Sequence, residues 1–255
     1  QRIREQKKGR IMINKKILGL AGLASLGLAT TAPLAVVHAD TASEIKSKAT
    51  ITFKENTEGE NSVLNPNNPI NEDGSKNIIT PDDSTEATGT TLRIDYASSF
   101  NFDNGNESNK ISTSTQKYKA TLPTYSGQES PNFVQVTDAR SGDAKGWKLS
   151  VQQMGQFKNG DSELKGATIT INDGTYASGN ESGFDNSTNP ETSTNPVTIS
   201  LHEGTPLMTA KAGQGRGTSL YTMKNVELSV PGSTVKEEGT YTTTLKWTLS
   251  DTAVE

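Results

Sequence analysis

The chain has 255 residues, with 25 Lys and Arg against 29 Asp and Glu, and it has no cysteine. A disulfide framework and a thiol nucleophile are therefore excluded. Only 31% of the residues are hydrophobic and 5% aromatic, which allows one sizeable core only if much of the chain is loop.

From the N-terminus, Met12 to Lys16 (M-I-N-K-K) forms a basic stretch and Ile17 to Ala29 an apolar run. Val37-His38-Ala39 then supplies a cleavage site. Residues 1–39 therefore read as a secretory signal peptide cut before Asp40. The competing reading is an uncleaved anchor over Ile17 to Val37, a run nearly long enough to span a bilayer. Its Gly, Thr and Pro content and the good cleavage site weigh against that. The residues before Met12 read as an over-extended gene start, with Met12 the expected true start. Losing residues 1–39 removes seven of 25 basic and one of 29 acidic groups, leaving 18 against 28 and a net charge of −10. Such a chain is not expected to seek nucleic acid or anionic lipid through bulk electrostatics. No membrane span is expected in the mature chain.

Residues 40–47 are expected to be a mature N-terminal segment, with one domain over 48–255. Ala49-Thr-Ile-Thr-Phe53 alternates and predicts a short strand. Glu55 to Gly89 turns to Asn, Pro, Glu, Asp, Gly and Ser without periodicity, and reads as a polar linker or loop. From Thr91 on, short Thr- and Val-rich runs predict strands at Leu92 to Tyr96, Asn132 to Asp138, Gly146 to Gln152 and Ala167 to Asn172. Further runs follow at Pro196 to Leu201, Pro206 to Ala210, Leu220 to Val230 and Thr240 to Ser250. Turn residues such as Asn104-Gly105, Pro231-Gly232 and Glu238-Gly239 separate them. No helical-length window keeps an apolar stripe of period 3.6. The expectation is all-β, a β-sandwich-like single domain with long polar loops. Asn172 to Asn195 is predicted to be a long exposed excursion, of the kind that carries binding residues.

The only two tryptophans stand in matching frames, Trp147-Lys148-Leu149 and Trp247-Thr248-Leu249. Strand alternation sets each Trp beside its Leu on one face, opposite Lys148 or Thr248. Such rings are normally core, each burying ~200 Å² for roughly 5 kcal/mol at most. The alternative is a ring lying partly open and stacking on a sugar.

These paired W-x-L triads resemble the signature of the WxL domain of Gram-positive bacterial surface proteins. Leu92-Arg-Ile-Asp-Tyr96, Asn101-Phe-Asp103, Pro131 to Asp138 and Leu164 to Thr170 add to the likeness, which covers most of the mature chain. The resemblance implies an all-β protein that is secreted, stays at the cell surface and attaches non-covalently to the wall, with peptidoglycan the proposed receptor. It also implies partners: a membrane-anchored WxL-interacting surface protein and sortase-anchored proteins. Docking that membrane-anchored neighbour within a multiprotein surface complex is the alternative role. Trp147, Lys148, Leu149, Trp247, Thr248 and Leu249 are carried over as candidate ligand-binding residues. No apolar tail and no L-P-x-T-G run follows the second triad, so retention at the wall is expected to rest on reversible contacts. Tyr96, Tyr125, Tyr176, Phe184 and Tyr221, expected in or near loops, are candidates for stacking on a ligand.

No enzyme is expected, and neither cofactor nor metal. His202 is the one histidine left after cleavage, and its neighbour Glu203 points to the opposite strand face, against a triad. A zinc site lacks Cys and a second His. Gly213-Gln-Gly215-Arg-Gly217 lacks the strand, helix and Lys of a phosphate loop and reads as a flexible hairpin loop. Asp103 to Glu107 fails the calcium-loop spacing and reads as a surface turn.

Overall fold

The computed structural model describes residues 45–55, 62–83, 86–89, 91–103, 109–181 and 185–251. The expected signal peptide, Phe184 and the core of the Asp103 to Glu107 turn lie outside the described residues. The chain divides into two units, Gln1–Ile51 and Thr52–Glu255. In the first, residues 45–51 are exposed and carry no regular element. Among the described residues no helix is long and apolar enough to cross a membrane.

The second unit is built of strands. In chain order they are β1 (Val63–Leu64), β2 (Ile78–Ile79), β3 (Leu92–Ala97), β4 (Gln116–Lys119), β5 (Thr124–Tyr125) and β6 (Gln128–Glu129). Then come β7 (Asn132–Asp138), β8 (Trp147–Gln153), β9 (Lys158–Asn159), β10 (Ser162–Glu163), β11 (Thr168–Ile171) and β12 (Thr175–Ser178). The last are β13 (Glu191–Thr192), β14 (Val197–Thr198), β15 (Thr205–Ala210), β16 (Gly217–Met223), β17 (Val226–Val230) and β18 (Leu245–Ser250). Twelve of them form three four-stranded sheets, ordered β14-β11-β17-β4, β12-β16-β7-β3 and β13-β15-β8-β18. All the pairings are antiparallel. Each of the eight runs expected from Thr91 onward contains a strand, though Pro196 to Leu201 keeps only Val197–Thr198 and Thr240 to Ser250 only Leu245–Ser250. Leu220 to Val230 is two strands, β16 and β17, parted by Lys224 and Asn225.

That break turns a corner between sheets. β11 and β12 pair with β17 and β16 along one ribbon, but β11 and β17 belong to one sheet and β12 and β16 to another. Asp173 holds the bend: its Oδ1 accepts the N–H groups of Lys224 at 3.1 Å and Asn225 at 2.9 Å. Strands that switch sheets through such bends are how sandwiches close their corners.

One core lies among the three sheets. Val134, Val136 and Met223 come from the β7 sheet, Trp147, Leu149, Val151 and Met208 from the β8 sheet, and Ile169, Ile171, Val226 and Leu228 from the β11 sheet. β7 is buried at every position because its other face is covered too. There Leu64, Tyr96, Tyr125, Phe133 and Leu220 form a second cluster. Beside it sits a buried polar network: the Asp95 carboxylate accepts from Arg93 Nε at 2.6 Å, Gln135 Nε2 at 2.9 Å and Thr137 Oγ1 at 2.6 Å. A register shift between Ile94 and Tyr96 puts Asp95 in a bulge, aimed at those partners.

Three expectations change. Ala49 to Phe53 is not a strand: no element covers it, and Ile51 and Phe53 are 75% and 84% exposed. Alternation alone does not make a strand without a neighbour to pair with. The polar stretch 55–89 contains the β1–β2 hairpin, whose Leu64 is buried and donates its N–H to Gln135 Oε1 at 2.8 Å. The excursion at 172–195 holds strands β12 and β13. Its ends are tied where Gly174 N–H donates to Asn195 Oδ1 at 2.9 Å and Asn195 Nδ2 donates to the Gly174 carbonyl at 2.8 Å.

Candidate functional site

The two W-x-L triads lie on adjacent antiparallel strands, β8 and β18. Leu149 and Leu249 are directly opposite, Thr248 faces Ser150, and Trp247 faces Val151. Each Trp sits two residues before its Leu, so the antiparallel register sets the indoles on opposite sides of the leucine pair. The repeated motif is thus one ribbon with a local two-fold pattern.

Trp147 is 0% exposed. Its strand is paired on both sides, with Ala210 of β15 opposite the indole-bearing residue. The indole Nε1 donates to the Gly215 carbonyl at 2.9 Å, the partner that a buried indole N–H needs. Gly215 sits at φ +75°, and a Cβ there would collide with Ala210 Cβ and the Trp147 ring. Gly146 approaches the Ala210 carbonyl just as closely, at φ +77°. The Gly213 to Gly217 run therefore brings backbone close against an indole at Gly215. It is also no hairpin, since it joins β15 to β16, which belong to different sheets. Arg140 secures the entry to β8: it forks onto the Asp138 carboxylate at 2.9 and 2.8 Å and donates to the Gly146 carbonyl at 2.8 Å.

Trp247 is half-buried, packed with Leu245 and Leu249 against the main core. Among the described residues no strand pairs with the far side of β18. Trp147 and Leu149, both 0% exposed, present no surface to a ligand; in this fold they are core. Lys148 is half-buried and Thr248 exposed on the outer face, with Leu249 half-buried beneath.

That outer face brings the middle residues of both triads together. Lys148, Ser150 and Gln152 of β8 alternate with the buried row, and Lys246, Thr248 and Ser250 of β18 stand beside them in register. Same-face neighbours along a strand are about 7 Å apart. The result is a flat array of hydroxyl, amide and ammonium groups. These groups can both donate and accept hydrogen bonds, and Gln152 Nε2 already donates to the Leu201 carbonyl at 3.2 Å.

The aromatic candidates fall elsewhere. Tyr96, Tyr125, Tyr176 and Tyr221 are on strands rather than loops. Tyr96 and Tyr221 are 1% and 0% exposed, so their rings are packing elements. Burial pushes the Tyr221 phenol up to about 12. Tyr176 is half-buried and donates to Asn189 Oδ1 at 3.1 Å. His202 is exposed on the turn between β14 and β15. Among the described residues no group of three His, Cys, Asp or Glu is placed to hold a metal ion. The carriers Ser150, Gln152, Lys246 and Ser250 were not singled out from sequence as site residues; only the register of β8 with β18 brings them into one face.

No curated protein and no solved structure matches the chain. A family model does, over residues 40–253, described as a WxL domain, surface cell wall-binding. This is a family of cell wall-binding domains, not of enzymes. With both triads on one ribbon and an all-β frame around them, the chain belongs to the WxL family and is a cell-surface, cell wall-binding protein.

Proposed function

We propose that the protein is exported through its N-terminal signal segment from a Gram-positive cell and held at the wall by reversible contact with peptidoglycan. The observation that carries this reading is the polar outer face of the β8–β18 ribbon, to which Lys148 and Thr248 of the two triads both belong. Each hydrogen bond from it to glycan or stem peptide is worth about 1 kcal/mol net. Several at once, against a polymer that repeats its groups, give useful avidity without any strong single contact. The buried members of the triads, Trp147 and Leu149, keep that face rigid. The net negative mature chain works against long-range attraction to anionic wall polymers, which favours short-range recognition. The test is co-sedimentation of the purified protein with protein-free sacculi. Binding is expected, with no release of soluble muropeptides; a protein that stays in the supernatant overturns the reading.

A second reading is favoured by a separate observation. Ile51 and Phe53 stand 75% and 84% exposed in an alternating, β-branched segment that no strand of the described residues pairs. Such a segment suits addition to a sheet edge of a membrane-anchored partner. Ile51→Asp with Phe53→Asp is expected to lower retention on intact cells that display the partner to the level seen on cells without it, while leaving sedimentation with clean sacculi unchanged. Unchanged retention on those cells overturns this role.

A further inference from the structure

At the start of β7 there is a cleft of about 200 Å³, walled by Asp82, Asp83, Tyr96, Ser99, Tyr125 and Asn132 among others. Its polar groups are unevenly matched. Asp83 is fully engaged: Oδ1 accepts from Tyr96 Oη at 2.7 Å and Oδ2 from Ser99 N–H at 3.0 Å. Among the described residues Tyr125 Oη has only Tyr96 Oη as a hydrogen-bond partner, at a marginal 3.5 Å. Asn132 is 2% exposed, and its Nδ2 donates to the Thr121 carbonyl at 3.1 Å. Its Oδ1 has no partner among the described residues, nor does the Asp82 carboxylate. No Lys, Arg or His lines the cleft.

The inventory is therefore one of surplus acceptors. Two carboxylates, an amide oxygen and hydroxyls that can turn either way line a space that no cationic side chain borders. An incoming group that only accepts hydrogen bonds would gain nothing from Asn132 Oδ1 or Asp82 and would meet two negative charges. An ammonium brings three donors and no acceptor, and charge-assisted bonds to it are about twice as strong as neutral ones. The field of the carboxylates reaches the cleft floor: burial first, then the charges of Asp83 and Asp82, raise the Tyr125 phenol. Size narrows the choice further. Drug-sized ligands occupy about 300–1,000 Å³, so this cleft admits a single side arm rather than a disaccharide.

We propose that the cleft bounded by Asp82, Tyr125 and Asn132 binds a primary ammonium on an alkyl arm, of the kind that diamino acids contribute to wall peptides. Assignment to a wall peptide rests on the peptidoglycan reading above; the ammonium preference does not. In the complex the ammonium bonds Asp82, Asn132 Oδ1 and Tyr125 Oη, while Asp83 stays locked by Tyr96 and Ser99.

The test uses the purified full chain and two soluble probes, Nα-acetyl-lysine amide and its Nε-acetylated form, followed by amide chemical shifts. Saturable shifts confined to residues around Ser99, Tyr125 and Asn132 are expected with the free amine. Affinity is expected to fall at least about tenfold for the acetylated probe, and by a similar factor in Asp82→Asn, since a hydrogen bond to a charged group is worth ~1.5–3 kcal/mol. Asp82 is exposed and has no described partner, so Asp82→Asn leaves the fold and Tm unchanged. Equal binding of both probes, shifts elsewhere, or no shifts with the free amine would overturn the site. Sacculi whose amines have been acetylated separate the source. Weaker sedimentation than with untreated sacculi supports a wall peptide, and unchanged sedimentation overturns that source while the wall-binding reading stands. Failure to sediment with untreated sacculi sinks the wall-binding reading alone, because the soluble probes still decide the cleft.

Discussion

Trp147 and Trp247 occupy the same place in the same three-residue pattern, yet one ring is fully enclosed and the other half-open. Their strands account for the difference. β8 has β15 on one side and β18 on the other, whereas among the described residues β18 has β8 alone. The segment that leaves β15 adds a cover: Gly213 to Gly217 comes back over Trp147, and the Gly215 carbonyl accepts its indole N–H. The motif states which face a side chain takes, and the sheet order decides how much water that face keeps.

The largest effect is expected from Trp147→Ala. Removing a fully buried Trp costs about 3–5 kcal/mol, and here it also strips the Gly215 carbonyl of its donor. For a domain of this size each kcal/mol moves Tm by ~2–4 °C, so a fall of about 10 °C is expected, with the denaturant midpoint shifting at constant m. An equal loss in Trp247→Ala would break the contrast between centre and edge.

Gly215→Ala comes next, at about 2–3 kcal/mol, because it combines a left-handed backbone angle with a collision against the indole. The collision belongs to the pair. A double-mutant cycle with Trp147→Ala should therefore show coupling of ~1 kcal/mol or more. Simple additivity would mean that the loop is strained but not seated on the ring. Trp247→Ala is expected to cost only ~1–2 kcal/mol, since its half-buried ring removes less area from water, and to lower Tm before it lowers wall affinity.

The sequence carried the alternation and the turn residues, and these were enough for the strands with apolar rows, such as Asn132 to Asp138 and Trp147 to Gln153. It did not carry β4, whose Gln116-Lys-Tyr-Lys119 has the charged look of an edge. Nor did it carry β12, where Thr175-Tyr-Ala-Ser178 is hidden in a polar stretch and stabilised by pairing with β16. Conversely, Ala49 to Phe53 has the right pattern and no partner. Strand formation is a property of pairs, and one sequence reports only one member of each. The site follows the same rule. Lys148 and Thr248 were legible as outward residues, but their shared face with Ser150 and Ser250 came only from register. The cleft at Asp82 and Tyr125 was invisible, because it joins a loop, β5 and the start of β7.

The enclosed tyrosine rings also resist titration. Burial raises Tyr221 from its ordinary value of 10 to about 12, and burial raises Tyr96 as well. A raised folded value means that the stability contribution is fully present below pH 10 and is lost as pH rises toward the folded value. Stability is therefore expected to be flat up to pH ~10 and to fall between there and about 12. Phenolate absorbance should lag for the buried tyrosines until the chain unfolds. Tyr221→Phe should move the alkaline midpoint upward at little cost, because the Tyr221 hydroxyl has no hydrogen-bond partner among the described residues. A phenolate signal complete by pH ~10 in the folded protein would contradict the enclosure of these rings.

The smallest change in stability should come from the outward residues of the two triads. Lys148→Ala with Thr248→Ala removes no buried apolar row, and surface substitutions of this kind stay within about 0.5 kcal/mol each. Wall affinity is where they should differ from the tryptophans. Two lost hydrogen bonds at ~1 kcal/mol each correspond to roughly a thirtyfold weaker association with sacculi. Stability and binding would then be carried by opposite faces of one ribbon: Trp147→Ala destabilises the fold, and the Lys148 and Thr248 pair weakens adhesion at unchanged Tm. If the outward pair leaves sedimentation intact while Trp247→Ala abolishes it at an unchanged melting temperature, the half-open ring is the contact and the polar face is only its frame.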